Sequence, residues 1–145
     1  MTKKSRDSSR FKIIDFIQKH HVLTLATCAH NEPWCAHAFY VFDSQTECFY
    51  ILSDDETKHI QDSVQNNKVA GAIVLESKIV GKLQGLQFQG TLETCTGDML
   101  RRAQKKYIQK FPYAIIRKTS IWHIHIDYAK YTDNTLGFGT KLFWT

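Results

Sequence analysis

Ser53, Thr57, Lys58 and His59 set two hydroxyls, a fixed cation and a titratable ring within a short stretch of chain. They fall where a β-rich run, residues 48–53, gives way to residues 54–67, which can turn into a helix with Ile60 and Val64 on its apolar face. Asp54 or Asp55 can cap that helix. The first turn of a helix carries unpaired N–H groups and a partial positive charge, which suits a phosphate. The same residues also read as an ordinary capping segment with exposed charges, because Asp54, Asp55 and Glu56 repel anions. Local sequence leaves both readings open.

Other chemistry-bearing residues give weaker patterns. His123 and His125 share one face of a strand, a spacing that a metal or haem can use and that solvent-facing histidines also show. No Asp or Glu within sequence reach completes a facial triad, so no metal is expected. Cys28, Cys35, Cys48 and Cys95 form no CxxC pair and match no zinc spacing; they read as buried small apolar side chains rather than disulfides. There is no GxSxG, and Gly137-Phe-Gly139 lacks helix signals after it and reads as a turn. No catalytic residue is singled out.

The elements that must position these residues follow from periodicity. Residues 1–10 are polar and basic, with Lys3, Lys4, Arg6 and Arg10 against Asp7, and read as a flexible tail before a domain over 11–145. Phe11, Ile14, Ile17 and His21 recur at helical spacing with Ser9 as cap. Residues 22–28, 34–42 and 48–53 are strands joined by short turns, hence antiparallel neighbours. Residues 69–75 form a fourth strand in which Gly71 lets a neighbouring group come close. Residues 83–95 alternate most clearly, Leu86, Phe88 and Leu92 opposing Gln87, Gln89, Thr91 and Glu93. A helix follows with Leu100, Ala103, Tyr107, Ile108 and Phe111 as its stripe, stopped at Pro112. Residues 121–128 are the last strand, and residues 132–144 are apolar enough to dock on this barrel or a partner's. The pattern predicts a mainly β fold with minor α: a six-stranded antiparallel split barrel with flanking helices.

Composition narrows the function classes. Of 145 residues, 43% are hydrophobic and 23% charged, which are globular values. No apolar run approaches the roughly 20 residues of a membrane span, and the N-terminus lacks a signal's apolar centre, so a cytoplasmic protein is expected. The net charge of +5 invites nucleic acid. Arg101, Arg102, Lys105, Lys106 and Lys110, however, read as the wet face of a helix, and no nucleic-acid partner is expected.

Pro33-Trp34 entering a strand, an aromatic strand ending in Ser53, and Asp-Asp-Glu-Thr57-Lys58-His59 opening a helix resemble the pyridoxamine phosphate oxidase-like family of FMN-binding split barrels. Trp34-Cys-Ala-His-Ala-Phe-Tyr40, Leu86-Gln-Phe-Gln-Gly90 and Tyr131-Thr-Asp-Asn-Thr-Leu-Gly-Phe-Gly139 resemble the bacterial YhbP-like proteins more closely. The resemblance implies a flavin mononucleotide (FMN) whose phosphate meets Ser53, Thr57, Lys58 and His59. Its ring would be flanked by Ala36, His37, Ala38 and Phe39 and reached by Gln87 or Gln84. Exposed aromatic residues on the second strand and the apolar C-terminus need burial, so a homodimer is expected, with sites between subunits and Trp122 or Trp144 as a wall across the interface. Ala36 stands where the oxidases usually carry arginine, and His59 where lysine is usual. Vitamin B6 oxidation is therefore not expected. Two functions stay open: an FMN-dependent oxidoreductase on a small molecule, and a non-catalytic binder of flavin, haem or another phosphorylated ligand.

Overall fold

The computed structural model describes residues 2–116 and 119–144. The period-two runs become β1 (Val22–Ala29), β2 (Glu32–Asp43), β3 (Cys48–Leu52), β4 (Lys68–Leu75), β5 (Gln84–Thr94) and β6 (Ile121–Asp133), with a short β7 (Lys141–Trp144). Every pairing is antiparallel, in the order β3-β2-β1-β4-β5-β6-β7. A further pairing of β3 with β6 closes the six predicted strands into a ring, and β7 lies outside it. The β1–β2 hairpin turns at His30 and Asn31, whose φ values of 51° and 62° are those a tight primed turn demands and an asparagine tolerates.

Two glycines shape the barrel. A Cβ at Gly71 would lie 2.2 Å from Cζ of Phe88, its cross-strand partner, so the ring occupies the space the glycine leaves. At Gly90 a Cβ would lie 2.5 Å from the His125 carbonyl oxygen, beside a register shift between Gln89 and Gly90. Such a bulge bends a strand. β6 accordingly pairs with β5 along one edge while its other edge serves first β3 and then β7. The alternation predicted for β5 holds: Leu86, Phe88 and Leu92 are buried with Leu23, Leu25, Phe49 and Ile124.

Helix α1 spans Lys3–Lys19, so residues 3–10 are helical where a flexible tail was expected. Thr2, not Ser9, caps it, and Ser9 is buried along its length. The sequence lacked the reason, which is tertiary. Trp144 of β7 lies under Arg10, whose guanidinium stands 4.0 Å from the ring centroid and pairs with Glu47. The C-terminal segment thus docks on its own barrel.

Helix α3 (Gly97–Lys110) covers a second apolar cluster that includes Val41, Tyr50, Cys95, Ala103, Tyr107 and Ile121. Its basic residues are not all a wet face. Arg102 grips Asp43, 1% exposed, through two nitrogens, Lys106 approaches the same carboxylate at 3.8 Å, and Lys110 donates to the carbonyls of His20 and Tyr40. All four cysteines are free; Cys48 and Cys95 are buried, but Cys35 is exposed because its parity on β2 points it outward. Gly137 and Gly139, both with positive φ, form the expected turn. Among the described residues no helix is long and apolar enough to cross a membrane.

Candidate functional site

The corner forms where β3 leaves the barrel. Ser53 N–H donates to the Ser120 carbonyl at 3.2 Å, and the Ser53 carbonyl accepts the Trp122 indole N–H at 3.0 Å. Residues 54–56 then turn in solvent, and helix α2 (Lys58–Gln65) begins. Thr57 holds the N-cap position, in place of Asp54 or Asp55. Its hydroxyl donates back to the Asp54 carbonyl at 2.9 Å and does not cap the helix. The first amide of α2 with a helical acceptor is that of Gln61, bonded to the Thr57 carbonyl at 2.9 Å. The amides of Lys58, His59 and Ile60 therefore stand at the helix mouth, as the first turn of any helix leaves them.

Three of the four predicted phosphate residues come together. Ser53 Oγ lies 2.6 Å from His59 Nε2 and 3.1 Å from Thr57 Oγ1, and Thr57 Oγ1 lies 3.3 Å from the same nitrogen. Burial holds the His59 imidazole below its ordinary pKa, with the Asp62 carboxylate pulling the other way. At neutral pH the cluster offers hydrogen bonds and no charge.

Lys58 turns elsewhere. Its ammonium sits 3.0 and 3.3 Å from the two Asp62 oxygens and 5.6 Å from the Trp34 ring centroid. Asp62 is buried, also accepts the Thr27 hydroxyl at 2.9 Å, and is held below the ordinary carboxylate range chiefly by its bonds to Lys58. Sequence reasoning missed Asp62. The signal was its position four residues after Lys58 on one helix face.

The predicted ring-flanking residues divide between two faces of β2. Ala36 and Ala38 pair with Leu25 and Leu23 on the inward parity and are half-buried, whereas His37 and Phe39 point outward, Phe39 58% exposed. His37 Nδ1 lies 3.3 Å from the Thr24 hydroxyl. Register places His37, Thr24, Ala72 and Gln87 in one row across β2, β1, β4 and β5. Gln87 lines an open groove of about 390 Å³ with Gly71, Tyr128 and Lys130. A neighbouring groove of about 590 Å³, with Ala26, Cys28, Pro33 and Lys68, shares Ala70 and Gln89 with it. Gln84 instead accepts the Tyr131 hydroxyl at 3.0 Å.

One expectation is corrected. Trp122 and Trp144 are buried in their own chain and form no wall for a second subunit, because β6 and β7 turn both rings into the core. His123 and His125 do share the outer face of β6, but each has its own neighbour: Cys95 and Glu93 for His123, Cys48 for His125. Among the described residues no three potential metal ligands converge.

No protein-family model matches the chain. A UPF0306 protein of Klebsiella pneumoniae is 42% identical over 129 residues, covering 89% of this chain and 88% of its own length. The UPF0306 protein YhbP of Salmonella arizonae matches over the same shares at the same identity. Among solved structures, a heme binding protein from Mycobacterium smegmatis superposes with a TM-score of 0.75 at 17% identity, covering all of this chain and 59% of its own. A FAD-binding protein from Mesorhizobium loti gives 0.68 at 14% identity, with 83% of this chain and 90% of its own covered. A candidate pyridoxamine 5'-phosphate oxidase from Listeria innocua gives 0.66 at 15%, with 83% and 94% covered. These likenesses carry the fold, which is the split barrel of the pyridoxamine phosphate oxidase-like type.

Proposed function

The chain belongs to the UPF0306 family, and we propose that it binds flavin mononucleotide with the phosphate at the corner between β3 and α2. One observation carries the reading: Ser53, Thr57 and His59 converge within 3.3 Å of one another at a helix mouth that no side chain caps. The donor set fits a phosphate. Two hydroxyls, an imidazole nitrogen and the amides of α2 offer hydrogen bonds, while Lys58, next to Thr57 and His59 in the chain, is engaged by Asp62. Likeness in fold to a FAD-binding protein and to a candidate pyridoxamine 5'-phosphate oxidase supports a flavin.

When bound, the flavin supplies hydride and electron transfer, and the chain binds and orients it. Backbone of β2 from Ala36 to Phe39 supports the ring, and the row from His37 to Gln87 borders it. Oxidation or reduction of a small molecule is the activity such a holoprotein carries. A second copy of the chain covers the outer sheet face, where Val22, Phe39 and Val74 leave apolar surface exposed beside the two grooves.

Haem is the second reading, favoured by one feature. His37 is exposed on that face with Nδ1 tied to Thr24, which leaves Nε2 for iron. A fold neighbour is described as heme binding.

Titration of purified protein with FMN and with riboflavin, followed by flavin fluorescence, tests the proposal. FMN should bind more tightly, and Ser53→Ala should weaken FMN about fivefold while leaving riboflavin unchanged. Equal affinity for the two flavins, or none for either, overturns it. A Soret shift on adding haem that His37→Ala abolishes establishes the second reading instead.

A further inference from the structure

We infer that Asp62 sets the charge selectivity of the corner, by holding Lys58 as its own counter-ion so that a phosphate's second negative charge gains no affinity. The inference rests on the flavin-phosphate reading above.

Lys58 is the fixed cation of the first turn of α2, next in the chain to Thr57 and His59, and it is held away from them by Asp62. Both Asp62 oxygens lie within 3.3 Å of its ammonium. The Asp62 side chain is 9% exposed and Lys58 45% exposed. A ligand can therefore approach the ammonium from solvent but meets the carboxylate's field in the same place. Thr27 donates to Asp62 Oδ2 and keeps that carboxylate from swinging away. The Trp34 ring covers another side of the ammonium. His59 is neutral, and Asp54, Asp55 and Glu56 stand exposed on the turn before α2. From Ser53 to Asp62 the chain carries four acidic residues and one lysine.

Coulomb energy scales with the ligand's charge, so a cation neutralised by a fixed neighbour gives a dianion no advantage over a monoanion. Hydrogen bonds from Ser53, Thr57 and His59 do not discriminate in this way, because both charge states present acceptor oxygens. The corner thus takes a phosphodiester, with one charge, about as readily as a phosphomonoester with two. Freeing Lys58 tilts it toward the monoester. Deleting Lys58 alone leaves Asp62 unpaired and repels both.

Dissociation constants for FMN, riboflavin 4′,5′-cyclic phosphate (a phosphodiester with one charge) and riboflavin, measured on the wild type, Asp62→Asn, Lys58→Met and the double variant, test this. Riboflavin carries no phosphate and reports the ring site alone. In Asp62→Asn, FMN should bind about five- to tenfold more tightly, the cyclic diester about twofold, and riboflavin unchanged. Lys58→Met should weaken FMN by a similar factor, and the double variant should return near the wild type, the signature of a coupled pair. Each comparison is between ligands on one protein, so partial loss of folding cancels. If Asp62→Asn leaves the FMN-to-riboflavin ratio unchanged or lowers it, the inference is wrong while FMN binding stands. If the wild type and all variants bind FMN no better than riboflavin, the phosphate reading is wrong and the inference falls with it.

Discussion

The indole N–H of Trp122 donates to the carbonyl oxygen of Ser53 at 3.0 Å. The residue that follows β3 and begins the candidate site thus hangs from the strand that closes the ring. Trp122 stands opposite Ile51 on β3 and Thr94 on β5, so its ring joins the core to the corner. Trp122→Phe keeps an aromatic side chain and removes the donor, leaving the Ser53 carbonyl unpaired. We expect a loss of about 1–2 kcal/mol in urea unfolding and weaker FMN binding in the same variant. Unchanged stability together with unchanged affinity would show that this bond positions nothing.

Asp43 ties α3 to the barrel. Burial alone would raise its carboxyl, but the Arg102 hydrogen bonds, helped by the Gln45 N–H and Lys106, hold it at about 2 against an ordinary 3.8. A carboxyl lowered in the folded state stabilises above its unfolded pKa and loses that contribution as pH falls through the folded one. Stability should therefore drop by about 2 kcal/mol between roughly pH 4 and pH 2 through this group alone. Asp43→Asn should remove that part of the acid dependence and cost about 3 kcal/mol at neutral pH. Urea titrations of both proteins across the acid range decide it; parallel curves would refute the assignment.

Gly71 and Phe88 fill one space between them. Gly71→Ala places a methyl 2.2–2.8 Å from three ring atoms, and the Phe88 ring cannot retreat freely because it stacks on Phe49 at 4.8 Å. Overpacking of this kind costs about 1–3 kcal/mol. Phe88→Leu in the Gly71→Ala background should recover part of the loss, whereas the two changes simply adding would argue against the steric account.

The proposed dimer predicts its own disruption. Ala70 is exposed and lines both outer-face grooves. Ala70→Arg should leave thermal unfolding of a monomer intact while converting a dimeric sedimentation profile into a monomeric one. A wild-type protein that sediments as a monomer at micromolar concentration removes the dimer from the proposal.

Much of the barrel was legible because alternation is a local signal. Leu86, Phe88 and Leu92 announce an inward face whatever they pack against, and the β1–β2 turn is written in His30-Asn31. The α1 boundary was not legible. Residues 3–10 contain no apolar stripe, and what holds them is Trp144, more than a hundred residues away. The candidate site divides in the same way. Ser53, Thr57 and His59 lie close in sequence and meet in space. Lys58 is adjacent to them in the chain yet faces another way, because its helix position is spent on Asp62 and Thr27 comes up from β1 to fix that pair. Trp122 was expected at an interface, but its parity on β6 turns it into the core.

β6 lends one edge to two partners in succession, and β7 is what completes that edge. Residues 32–39 of β2 pair with β1 alone and β7 pairs with β6 alone, so these two stretches carry backbone open to a foreign strand. Aggregation on heating should start there, with Lys141 as the charge that discourages it along β7.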